Sequence, residues 1–95
     1  MTNIVWTAPA VSDIDGIHEW ISRDSEIYAD SVLSEIFDSI DRLTLYPESG
    51  RMVPELKDEK TRELIVGSYR IIYDKQEDLI RILTILHAAR LFPNN

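Results

Sequence analysis

The chain has 95 residues, no cysteine, and 17 acidic against 10 basic side chains, for a net charge of −7. That length suits one domain (1–95) with a single core, and the missing thiols exclude disulfides and thiolate metal sites and fit a reducing, cytoplasmic setting. No stretch reads as a membrane helix, MTNIVWTAPA lacks the basic start of a secretory signal, and the acidic balance argues against broad electrostatic capture of nucleic acid.

Asn3 to Thr7 is short, apolar and stopped by Pro9, as in a first strand that gives way to a helix. Ala10, Ile14, Ile17 and Ile21 then recur at helical spacing, with Asp13, Asp15, Glu19 and Arg23 on other faces. Gly16 inside this helix costs about 1 kcal/mol relative to alanine, and close approach of a neighbouring helix is the expected compensation. Asp24-Ser25 can cap a second helix whose stripe runs through Ala29, Val32, Leu33, Ile36, Phe37, Ile40 and Leu43 until Pro47 stops it at Tyr46. The short break predicts an antiparallel helix hairpin. Trp6 and Trp20 both fall on predicted core faces.

Pro47-Glu48-Ser49-Gly50 reads as a turn, and residues 51–60, with Pro54, as a loop or irregular edge segment. From Thr61 to Arg90, three runs rich in Ile, Leu, Val and Tyr form an antiparallel meander, broken at Gly67-Ser68 and at Lys75-Gln76-Glu77-Asp78. Setting Val66 opposite Tyr69 and Asp74 opposite Leu79 gives one core face of Leu64, Val66, Tyr69, Ile71, Tyr73, Ile80, Ile82 and Leu86. The other face then carries Glu63, Ile65, Arg70, Ile72, Arg81, Leu83, Ile85 and His87, a mixed surface suited to a partner. The order is β-α-α-β-β-β, an α+β domain with the helix hairpin on one face of an antiparallel sheet, and the first strand at a sheet edge in either direction.

Residues 1–50 hold ten acids against Arg23 and Arg42, a net of −8, whereas residues 51–95 hold eight bases against seven acids. Any local positive site therefore belongs to the sheet half. With His18 and His87 as the two histidines and no clustered ligands, neither a metal site nor a cofactor is expected, and none of the 3 glycines builds a phosphate loop.

Five pieces in order, PESGR at 47–51, VPEL at 53–56, TREL at 61–64, YRIIY at 69–73 and ILHAAR at 85–90, resemble the RelE/ParE superfamily of bacterial type II toxins. The resemblance spans nearly the whole chain and implies the fold derived above, together with a cognate antitoxin that wraps the toxin. It offers two mechanisms: a RelE-like branch that cleaves mRNA on the ribosome, and a ParE-like branch that poisons DNA gyrase. Arg70 matches an arginine with which the RelE-like nucleases stabilise the reacting phosphate, and Arg90 falls at the spacing of a second. His87 would be the acid or base in that reading.

The lysines of the RelE-like enzymes have no counterpart here, since Lys57 and Lys60 flank Asp58 and Glu59, and the chain stops at Asn95 without an aromatic extension. The Leu-His-x-x-Arg ending is closer to the ParE branch. Against these roles stand plainer ones: Arg70 paired with Glu63 across the sheet, His87 held by a backbone carbonyl, and Arg51 and Arg90 neutralising the ends of elements. Charge and the missing lysines favour a ParE-like inhibitor of gyrase over an endoribonuclease or a non-toxic interaction module. An antitoxin is expected to cover Glu63, Ile65, Arg70, Ile72, Arg81, Leu83 and Ile85, and without it the same surface favours a homo-oligomer.

Overall fold

The computed structural model describes residues 2–88. It runs β1 (Asn3–Trp6), α1 (Ala8–Ser22), α2 (Glu26–Asp41), β2 (Arg51–Met52), β3 (Thr61–Val66), β4 (Tyr69–Gln76) and β5 (Leu79–His87). The strands form one sheet in the order β1-β5-β4-β3-β2, antiparallel except that β1 lies parallel to β5 at the edge. The helix hairpin packs on one face of this sheet, α1 against β5 and α2 against β3. That is the expected α+β architecture, with the direction of β1 now resolved. No helix among the described residues is long and apolar enough to cross a membrane.

Local chemistry sets the junctions. Thr7 precedes α1 without capping it; its hydroxyl donates instead to the carbonyls of Ile82 (2.7 Å) and Leu83 (3.1 Å), stitching the strand-to-helix corner onto β5. Pro9 lies in the first turn, where its missing N–H costs nothing. Ser25 caps α2 by accepting from the Tyr28 amide at 3.1 Å, and the far end tightens into a 3₁₀ turn over Arg42–Thr44 before Pro47. Ile14, Ile36, Ile40, Ile71 and Ile82 are buried in one core with Leu43, Tyr73, Ile80 and Ile85, and Ile17 packs half-buried against them.

Two readings of the helical half need correction. A Cβ on Gly16 would meet nothing within 4 Å, so no neighbouring helix explains that glycine. Trp20 is 68% exposed rather than buried, and the Arg23 guanidinium lies 5.4 Å over its ring, a cation–π contact that suits a surface indole. Trp6 does turn inward, tilted against Phe37 at 5.6 Å between ring centroids.

The first turn of the meander pairs Val66 with Tyr69, Ile65 with Arg70 and Glu63 with Ile72, as the sequence suggests, and Gly67 supplies a φ of 56° that other residues rarely adopt. The second differs. β4 and β5 zip further, so that Gln76 faces Leu79 around Glu77-Asp78, and a bulge follows, with Tyr73 opposite Ile82 but Ile72 opposite Thr84. Leu83 is the extra residue, and every face beyond it swaps. Ile85 joins the core opposite Ile71, His87 stands opposite Tyr69, and Leu86 pairs with Arg70.

The bulge falls where β1 ends, since the last β1 pair is Trp6 with Ile82. Past that point Asp13 of α1 takes over the β5 edge: one of its carboxylate oxygens accepts from the Thr84 hydroxyl and, at 3.0 Å, from the Ile85 amide.

Candidate functional site

The sheet face away from the helices is not open. Glu63, Arg70 and Ile72, expected as exposed contact residues, are buried; from the segment after β2, Val53 is fully buried and Glu55 is bonded to Arg70. Charge pairing makes that burial tolerable. Glu63 Oε1 lies 2.6 Å from Arg70 Nε, and Glu63 Oε2 lies 2.6 Å from Arg51 Nε. Arg70 Nη1 and Nη2 each lie 2.8 Å from a Glu55 oxygen. The Glu55 hydrogen bonds do most to raise the Arg70 pKa above its ordinary value; burial opposes them, and Glu63 adds to the rise.

The remaining sequence-derived candidates scatter. Ile65 is half exposed beside this cluster, Arg81 pairs with Asp74 while keeping 43% of its side chain exposed, and Leu83 is half-buried at the bulge. Ile85 belongs to the core.

His87 lies across the sheet from Arg70. Its ring meets Tyr69 edge-on, 5.7 Å between centroids, and with Trp20, Tyr28 and Asp24 it lines a cleft of about 270 Å³ beneath the helix hairpin. Burial, and secondarily Tyr28, pushes the Tyr69 phenol above its ordinary pKa. The expectation that Arg70 and His87 share a face therefore fails, and the bulge at Leu83 is the reason. Arg90 lies outside the described residues. Among the described residues, no cluster of three or more His, Asp or Glu could hold a metal ion.

A third region lies along β3. β2 covers β3 only at Arg62 and Glu63, so among the described residues Leu64, Ile65 and Val66 have no strand on their outer side. Beside them Ser39, Arg42, Tyr46 and Ser49 complete a shallow cleft of about 320 Å³, and Leu45, Tyr46 and Ile65 are largely exposed. A bare edge flanked by apolar side chains suits an added strand. Sequence reasoning missed Glu55 as the partner of Arg70, and its place after Val53-Pro54 gave no periodic signal.

A helix hairpin on a meander with a parallel edge strand defines the fold of the RelE/ParE superfamily of toxins. The family described as the ParE toxin of the type II toxin–antitoxin system parDE matches residues 4–92, and the chain belongs to that family. Membership implies a cognate antitoxin as partner. A curated relative, toxin RelE2 of Caulobacter vibrioides, is 36% identical over 92 residues, covering 96% of this chain and 100% of that one. A solved structure of a chromosomal ParDE toxin–antitoxin system from P. aeruginosa shares the fold, with a TM-score of 0.73 and 20% identity over 92% of this chain and 96% of that one.

Proposed function

We propose that this toxin acts by binding and disabling a protein target, DNA gyrase being the one its ParE-like ending implies, and that a cognate antitoxin holds it inactive. The supporting observation is the separation of Arg70 from His87. Cleavage of RNA by its own 2′-hydroxyl needs an acid, a base and cations gathered around one phosphorus, and an arginine and a histidine on opposite faces of a sheet cannot meet there. The acidic balance, with a net charge of −7, adds to this, because a nuclease surface has to approach a polyanion.

The bare edge of β3 and its cleft are where the antitoxin docks in this account, by strand addition beside Leu64–Val66 with apolar side chains against Tyr46 and Ile65. The rival reading, ribosome-dependent mRNA cleavage using Arg70, His87 and Arg90, draws on the similarity to a toxin named RelE2. Induction of this chain alone, with DNA-damage signalling and mRNA 5′ ends mapped in the same cells, separates the two. Damage signalling without new codon-specific ends supports inhibition of gyrase. New ends at ribosome-bound codons without damage signalling refute it.

A further inference from the structure

Among the described residues two carboxylates bond Arg70, and they differ in how they are held. Glu63 belongs to β3, is fully buried and is shared with Arg51, so it moves only if the sheet moves. Glu55 comes from the irregular segment between β2 and β3; its side chain is 15% exposed, and the local backbone bond is a turn from the Leu56 amide to the Val53 carbonyl, 3.0 Å long. Of these two, Glu55 is therefore the carboxylate nearer solvent and outside the strands, and Glu63 the one fixed in the sheet. The two Glu55 oxygens meet Nη1 and Nη2 at 2.8 Å each, the parallel fork in which a guanidinium recognises a carboxylate or phosphate.

We propose that Glu55 is an internal ligand plugging an oxyanion site on Arg70, and that an acidic side chain of a protein partner takes its place when the partner docks on this face of the sheet. Ile65 supports the location: it pairs directly with Arg70 across β3 and β4, shares its face and is 50% exposed, so an apolar anchor lies beside the plug. The ligand already in place supports the chemistry: the Arg70 fork holds a carboxylate through two 2.8 Å hydrogen bonds, and a partner's carboxylate can make the same pair.

Opening without replacement is costly, because it strips a buried charge of a partner; exchange of one carboxylate for another is not. Glu55 competes as a tethered ligand at high effective concentration, so a partner displaces it only with help from neighbouring contacts. The plug does not depend on which target the toxin attacks. The choice of a carboxylate over an RNA phosphate rests on the protein-target reading, and on the repulsion between a polyanion and a chain of net charge −7.

The Arg70 Nε–H resonance of ¹⁵N-labelled protein reads the site directly. Wild type, Glu55→Ala and Glu55→Gln are titrated with glutarate and, separately, with a short single-stranded RNA. In Glu55→Ala the resonance should shift saturably with glutarate at a concentration at least about tenfold below any response of wild type, the factor a charge-assisted hydrogen bond supplies. Glu55→Gln should fall between them, and it preserves the comparison if the alanine variant does not fold. A folded variant whose Arg70 signal ignores glutarate, or a wild type equally responsive, overturns the plug. Saturation by RNA below the glutarate concentration overturns the carboxylate assignment while leaving the plug standing, and a gyrase assay remains a separate test of the target.

Discussion

Alanine at Gly50 would place a Cβ 2.6 Å from Tyr73 Oη, 2.7 Å from the Glu63 carbonyl oxygen and 2.8 Å from Tyr73 Cε1. None of these can yield cheaply. The Glu63 carbonyl is sheet backbone, and the Tyr73 ring is fully buried in the core. The chain around Gly50 must instead retreat by several tenths of an ångström. That retreat weakens or breaks the bond from the Gly50 amide to Tyr73 Oη, now 3.0 Å, and the bond from Arg62 Nη1 to the Gly50 carbonyl, now 2.9 Å. Overpacking costs about 1–3 kcal/mol, and each lost hydrogen bond about 0.5–1.5 kcal/mol. We therefore predict a loss of about 2–6 kcal/mol for Gly50→Ala, measured by urea denaturation, with a fall in Tm of roughly 4–8 °C for each kcal/mol lost in a domain of this size. Because the closest clash is with the phenol oxygen, Gly50→Ala combined with Tyr73→Phe should cost less than the two single changes together. A loss below about 0.5 kcal/mol, or strict additivity, would show that Gly50 is not packed tightly against Tyr73.

Other outcomes follow from the same geometry. Ile40→Ala, in the centre of the core, should cost about 2–5 kcal/mol in chemical denaturation. Glu63→Ala should cost about 1–3 kcal/mol because it removes the acceptor of the buried Arg70 Nε–H while Glu55 still holds the other end of the guanidinium, whereas Arg51→Ala, at a side chain 61% exposed, should cost less than about 1 kcal/mol; equal losses would contradict the ordering. Burial raises the Tyr73 phenol above the ordinary value of about 10, so the folded state keeps that proton longer than the unfolded chain. Its contribution is complete below about pH 10 and is lost as pH rises through the folded-state value, and Tyr73→Phe should flatten that alkaline fall in a stability–pH titration.

The helical half was legible because its stripes hold one period: Ala10, Ile14, Ile17 and Ile21 in α1, then Ala29 through Leu43 in α2, each bounded by a proline or a capping serine. The first turn was legible for a similar reason, since Gly67 can take the φ of 56° that the turn needs. The second was not. Ile80 to Leu86 reads Ile-Arg-Ile-Leu-Thr-Ile-Leu, apolar on both parities after Ile82, so nothing in the pattern marks Leu83 as an extra residue. What places the bulge is tertiary: β1 stops opposite Ile82, and Asp13 takes the edge beyond it.

The candidate site inherits that blind spot. Arg70 and Glu63 were recognisable as neighbours across two strands, but Glu55, the other carboxylate on Arg70 among the described residues, arrives from an irregular segment with no periodicity. Trp20 was misread because a large apolar side chain at a helical spacing resembles a core residue. The cation–π contact with Arg23 becomes visible only once the helix face is known.

The most direct measurement adds purified toxin to DNA gyrase with relaxed plasmid and ATP, and in parallel to ribosomes programmed with mRNA. Supercoiling should be lost with accumulation of cleaved DNA, reversed by the antitoxin, while the mRNA stays intact. Codon-specific cleavage of ribosome-bound mRNA by wild type, absent in Arg70→Ala, with gyrase unaffected, would contradict inhibition of gyrase.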